Sequence, residues 1–142
     1  IGALDSRVEA DISSVAVIDT DGRAGQLYNR ALRRALYVNG EASPAYDLTS
    51  TMSVSSSSTL SVRGVTSTFK KMTMTAVFTL KKQDGGEVLL SDQVTADATL
   101  GTVSSLFGQD QSEAHARDRM AQLLAQRVVQ QLQLYFRENL DA

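Results

Sequence analysis

Between Tyr46 and Leu100 the apolar residues fall almost entirely on even positions, and this alternation limits the chain to a sheet with one buried face. Tyr46, Leu48, Met52, Val54, Leu60 and Val62 alternate with Thr49, Thr51, Ser53, Ser55, Thr59 and Ser61. The pattern returns as Met72, Met74, Ala76, Phe78 and Leu80 against Thr73, Thr75, Val77 and Thr79. It returns again as Val88, Leu90, Val94, Ala96, Ala98 and Leu100 against Leu89, Ser91, Gln93, Thr95, Asp97 and Thr99. Asp84-Gly85-Gly86-Glu87 supplies the two glycines of a tight turn between the second and third strands, and the first corner falls near Arg63-Gly64-Val65-Thr66-Ser67. An antiparallel meander with an oily back and a Ser/Thr front follows.

The first of these strands is too long for an ordinary one. Tyr46 to Val62, fully extended, spans roughly 55 Å, against a radius of gyration of about 14–15 Å for a compact chain of this size. Either a bulge interrupts the Ser55–Ser58 run or the hairpin projects, with Arg63 at its tip and Lys70 and Lys71 just behind.

Helical periodicity flanks the meander. Ser14-Val15-Ala16-Val17-Ile18 reads as a short strand buried on both faces, preceded by a loose lead-in over residues 1–13. Asp19-Thr20-Asp21-Gly22 reads as a turn and helix cap; the positions a calcium loop would need hold Val17 and Tyr28. From Arg23, Leu27, Ala31, Leu32, Ala35 and Leu36 form a stripe that Asn39-Gly40 should end. A crossover from the first strand to the meander is right-handed if those strands are parallel. A loop with Leu106 and Phe107 embedded in it leads to a last helix, capped by Asp110 with Glu113 or by Ser112 and running to about Glu138, with Met120, Leu123, Leu124, Val128, Leu132, Tyr135 and Phe136 as its stripe. The expected fold is α+β: a mixed four-stranded sheet, in the order strand, helix, three-strand meander, helix, with both helices on the even face and the hydroxyl face open. All 142 residues form one domain in this reading.

Composition excludes several chemistries. With no cysteine there are no disulfides, thiolate zinc sites or cysteine nucleophiles. His115, the single histidine, has no second histidine or cysteine to share a metal with and reads as a solvated residue at a helix start. Carboxylates lie scattered at element ends and no phosphate-cradling glycine motif occurs, so no enzyme, metal or cofactor can be nominated. No apolar run reaches the roughly 18 residues of a membrane span, and the start Ile1-Gly2 suggests a fragment separated from a preceding segment.

Charge is uneven. Residues 1–21 carry a net −4, residues 22–82 a net +7 and residues 83–142 a net −5, which suggests a local anionic partner; a lumpy solvated surface is the plainer alternative. Nucleic acid fits poorly because the open face offers Phe69 alone for stacking. An anionic lipid headgroup or phosphorylated sugar, held by Arg63 with Lys70 or Lys71, fits better, although such lysines also serve simply to blunt a sheet edge. The uncharged front, with Thr51, Ser53, Thr73, Thr75 and Thr95 at its centre, suits docking against a hydrated polar wall without burying charge.

Several strings in order resemble the LptE family of lipopolysaccharide-assembly lipoproteins, and its alphaproteobacterial branch most. These are Arg23-Ala24-Gly25-Gln26-Leu27-Tyr28-Asn29-Arg30-Ala31-Leu32-Arg33, Tyr46-Asp47-Leu48-Thr49, Thr73-Met74-Thr75-Ala76, Gly86-Glu87-Val88-Leu89 and Leu134-Tyr135-Phe136. The resemblance implies a non-enzymatic plug inside the LptD β-barrel. It would be held at the outer membrane, on the periplasmic side, by an N-terminal lipid anchor. It would assist barrel assembly and bind lipopolysaccharide, with Arg63 at the family's basic tip position. A second family lysine before the last helix finds no counterpart in Leu106-Phe107-Gly108-Gln109, and the lipid-bearing cysteine is absent. The rival expectation is a stand-alone periplasmic module for a small anionic ligand, which needs a concave pocket lined by the even face.

Overall fold

The computed structural model describes residues 2–38, 40–60, 68–101 and 106–139. In chain order the elements are α1 (Gly2–Ser13), β1 (Val15–Val17), α2 (Arg23–Leu36), β2 (Tyr46–Leu60), β3 (Thr68–Lys82), β4 (Val88–Gly101) and α3 (Leu106–Glu138). They build one mixed sheet in the order β1-β2-β3-β4, with β1 parallel to β2 and the rest antiparallel.

Pairing of β2 with β3 is unbroken from Tyr46↔Lys82 to Leu60↔Thr68, so no bulge relieves the long strand in the serine run. The sheet's one irregularity among the described residues sits between β3 and β4 at Leu80/Lys81. β1 pairs only with Tyr46, Asp47 and Leu48, and β2 runs on past it with Ser55, Ser56 and Ser57 exposed. The corner expected to project, with Arg63, lies outside the described residues, and β4 accompanies β3 as far as Phe69↔Gly101. At about 50 Å for its 33 residues, α3 matches the length of β2.

Even positions pack inward as their period demands. Met72, Met74, Ala76, Phe78 and Leu80 of β3 are at most 2% exposed, and Val94, Ala96 and Leu100 of β4 join them. Against them α3 sets Ala116, Met120, Leu124, Val128, Leu132 and Phe136, a row of fourfold spacing, with Ala121, Ala125 and Val129 beside it, while α2 packs against α3. The buried stripe is therefore rotated from the expected one: Leu123 is exposed and small alanines take its place.

Four sequence expectations change. Residues 1–13 are not a loose lead-in but contain α1, so there are three helices rather than two; Val8 and Ile12, four apart, are buried beside α3 in a window whose overall polarity masks them. β1 is an edge strand in which only Val15 is fully buried, and Ile18 just beyond it is 45% exposed. α2 ends at Leu36, with Tyr37 as its cap, short of Asn39-Gly40. α3 starts at Leu106 rather than near Ser112, so Leu106 and Phe107 belong to the helix.

β1 is held by side chains that the apolar pattern does not reveal. The Tyr37 hydroxyl donates to the Val15 carbonyl at 2.5 Å, and Arg33 donates to the Val17 carbonyl at 3.2 Å and to Asp19 at 2.5 Å. The turn that follows has no side-chain cap on α2. Instead Asn29, 4% exposed, accepts from the Thr20 amide at 3.2 Å and donates to the Thr20 carbonyl at 3.1 Å. Gly25 allows that closeness, since a Cβ there would meet the Thr20 carbonyl oxygen at 2.5 Å. Next to it the Tyr28 and Ser50 hydroxyls share a 2.8 Å hydrogen bond, joining α2 to β2.

Two measurements check this core. Leu132→Ala should cost about 2–5 kcal/mol in denaturant unfolding, whereas Leu134→Ala, at a side chain 52% exposed, should stay within about 0.5 kcal/mol. Burial pushes the Tyr28 hydroxyl up to about 12 from 10.0, the Ser50 hydrogen bond opposing in part. Because the folded value lies above the unfolded one, this group's stabilisation is complete below pH 10 and is lost as pH rises through about 12. Burial also raises Tyr37, Tyr46 and Tyr135, so alkaline absorbance titration should show all four tyrosines late and the latest of them missing in Tyr28→Phe, a variant that should also be about 0.5–1.5 kcal/mol less stable.

Candidate functional site

Odd positions of the three long strands align across the sheet into rows. Ser53, Thr75 and Thr95 form one row, Ser55, Thr73 and Asp97 the next, and Thr51, Val77 and Gln93 lie on the other side. None of these side chains is buried, because the helices occupy the opposite face. The five hydroxyl residues singled out from the sequence, Thr51, Ser53, Thr73, Thr75 and Thr95, thus share one open surface. Thr73 donates to Asp97 at 2.8 Å, and the Thr75 and Thr95 hydroxyls lie 3.4 Å apart. Charge stays at the margins: Lys71 between Ser57 and Thr99 towards the hairpin tip, Asp97 on the β4 side, and Asp47 and Lys81 at the far end. Neutral hydroxyls at the centre can exchange hydrogen bonds with a polar wall without stranding an ion.

Strand alternation separates the two lysines that sequence reading grouped at the tip. Lys71 is exposed on the hydroxyl face, while Lys70 has the even parity of Met72 and turns towards α3. There it donates to Glu113, whose other oxygen stands 3.9 Å from Arg117 one helical turn on. Glu113, expected as a cap, thus anchors the first turns of α3 to the sheet. A carboxylate whose side chain is only 12% exposed neutralises Lys70. Arg63 lies outside the described residues.

The even face is filled rather than hollow, which removes the pocket that the small-ligand reading requires. A 450 Å³ cleft lies elsewhere, at the start of α2, lined by Asp19, Thr20, Asp21, Gln26, Asn29, Arg30 and Arg33, where carboxylates and guanidiniums balance. Tyr28 and Asn29, which fasten this end of the molecule, were absent from the sequence-derived site; their only signal is a polar pair on the buried face of an amphipathic helix. Among the described residues no three potential metal ligands come together, and His115 is exposed.

Comparison with known proteins gives a consistent result. The LptE lipopolysaccharide-assembly family model matches residues 10–132. A crystal structure of a candidate lipoprotein from Caulobacter crescentus CB15 superposes with a TM-score of 0.72 at 19% identity, covering 92% of this chain and 96% of that one. Rare lipoprotein B from Shewanella oneidensis gives 0.66 at 17% identity, covering 91% and 98%. A minor lipoprotein from Acinetobacter baumannii gives 0.63 at 14% identity, covering 87% and 94%. At such identities these structures speak for the fold alone, and no curated sequence matches. The family match, spanning most of the chain and all four strands, carries the assignment: this protein belongs to the LptE family, whose part in lipopolysaccharide assembly and transport is non-enzymatic.

Proposed function

We propose that the open hydroxyl face docks against the lumen wall of an LptD-type β-barrel, and that the hairpin tip receives lipopolysaccharide through Arg63 and Lys71. The observation that carries this reading is the uncharged grid of Thr51, Ser53, Thr73, Thr75 and Thr95, open to solvent on a sheet whose other face is closed. A barrel lumen is polar, and small hydroxyls can meet it at close range with little loss of side-chain entropy. The length of β2 and β3, fifteen residues each, gives the plug its reach, and the chain acts as one domain. A lipid anchor ahead of α1 holds it on the periplasmic side of the outer membrane, a role supported by the lipoprotein names of its structural relatives.

Docking is tested by placing unpaired ammonium groups on the face. The triple variant Thr51→Lys, Thr75→Lys and Thr95→Lys should reduce recovery of the barrel protein in affinity co-purification from outer membranes by about tenfold or more. Its thermal midpoint should remain that of the parent, since all three side chains point away from the core. Undiminished recovery would exclude the face as the contact. At the tip, Lys71→Ala should weaken lipopolysaccharide binding more than Lys70→Ala, because Lys70 is already engaged by Glu113. A larger loss for Lys70→Ala would move the anion site to the helical side of the sheet.

A further inference from the structure

α2 carries four arginines and no acid, and their surroundings differ. Arg33 is tied to the Val17 carbonyl and to Asp19. Arg30 and Arg33 line the cleft at the start of the helix, where Asp19 and Asp21 match them in number. Arg34 lines a different hollow, a groove of 230 Å³ between α2 and α3.

Three kinds of group meet in this groove. Arg34 is the one ion in its lining among the described residues. Gln122 and Gln126 of α3, one helical turn apart and both exposed, bring carboxamides that donate and accept. Ala31, Ala35 and Val38 supply aliphatic surface, and Val38 is 74% exposed. Asp118, a further turn along the glutamine row, stands outside the lining.

Each kind of group selects a part of a ligand. A guanidinium fork matches the paired oxygens of a carboxylate or phosphate. Carboxamides suit hydroxyl groups, which likewise both donate and accept, and aliphatic side chains favour a C–H surface. A free phosphate would use only the first and an acyl chain only the last. We propose that the groove binds an acidic saccharide, with its carboxylate or phosphate on Arg34, its hydroxyls on Gln122 and Gln126, and the C–H face of the ring over Ala31, Ala35 and Val38. The volume, equal to that of about eight waters, suits one sugar ring rather than a long chain. This inference rests on the lipopolysaccharide reading and extends it, giving the sugar portion of the glycolipid a contact apart from the hairpin tip. The groove lies on the helical side of the sheet, so docking through the hydroxyl face does not use it.

The test follows amide signals of the whole 15.3 kDa chain by nuclear magnetic resonance during titration with glucuronate, glucose 6-phosphate, glucose and inorganic phosphate. The two acidic sugars should shift residues 31–38 and 122–126. They should bind about tenfold or more tighter than glucose or phosphate, the factor that one hydrogen bond to a charged group supplies. Arg34→Gln should abolish that advantage, while Arg23→Gln, the same loss of charge about 16 Å away along the helix, should leave it intact. Replacing Gln122 and Gln126 together by Ala should bring glucose 6-phosphate down to the level of phosphate. No shift at these residues, phosphate binding as tightly as the sugar phosphate, or Arg34→Gln binding like the parent would overturn the proposal. Lipopolysaccharide itself separates this failure from that of the tip: if it binds through Lys71 while acidic sugars do not bind, the groove alone is excluded. If acidic sugars bind and Lys71→Ala leaves lipopolysaccharide binding unchanged, the tip is excluded and the groove stands.

Discussion

Register between β2 and β3 is the constraint on which the rest depends. A slip of one residue would turn Met74, Phe78 and Leu80 to solvent and bring Thr73, Thr75 and Thr79 under α3, where their hydroxyls would have no partners. The uninterrupted ladder holds all fifteen residues of β2 in one phase, so a single packing decision orients the whole hydroxyl face. The bulge at Leu80/Lys81 comes only where β3 runs into the Gly85-Gly86 turn, beyond the rows that form that face.

This phase is what makes the sheet readable in the sequence. Period-two alternation over three strands specified their existence, their order, the open face and the side on which helices must lie. The resemblance to the LptE family agreed with each of these. Information was lost where local pattern and tertiary role diverge. α1 is anchored by Val8 and Ile12 within twelve mostly polar or small residues, and its burial comes from α3, more than a hundred positions away. Lys70 and Lys71 look like one basic cluster in a string, yet adjacent strand residues face opposite ways. The start of α3 was misjudged because the Gly101–Asp110 stretch has the composition of a loop, and Glu113, which looked like a cap, serves the sheet.

Polar residues secure the β1 end, where the apolar core thins. Arg33, Tyr37, Asn29 and Tyr28 each make a hydrogen bond from the α2 region to β1, to the turn after it or to β2. Three residues of strand could not hold themselves in a sheet. α2 therefore does two jobs, packing its stripe against α3 and pinning the short parallel strand. No buried side-chain polar atom among the described residues lacks a partner, which fits a core where each polar insertion fastens a particular main-chain group.

The position of α3 at the end of the chain has a consequence for how the protein is made. β2, β3 and β4 are contiguous and can pair as soon as they leave the ribosome or the translocation channel, since each contact in a meander is between neighbours in sequence. Their even face, with Met72, Met74, Phe78 and Leu80, has no cover until residues 116–136 have followed. During that interval the nascent chain displays an uncovered apolar sheet face, which invites aggregation. Vectorial delivery thus creates a window in which a holding chaperone would have a defined target, and the last helix is the element that closes it.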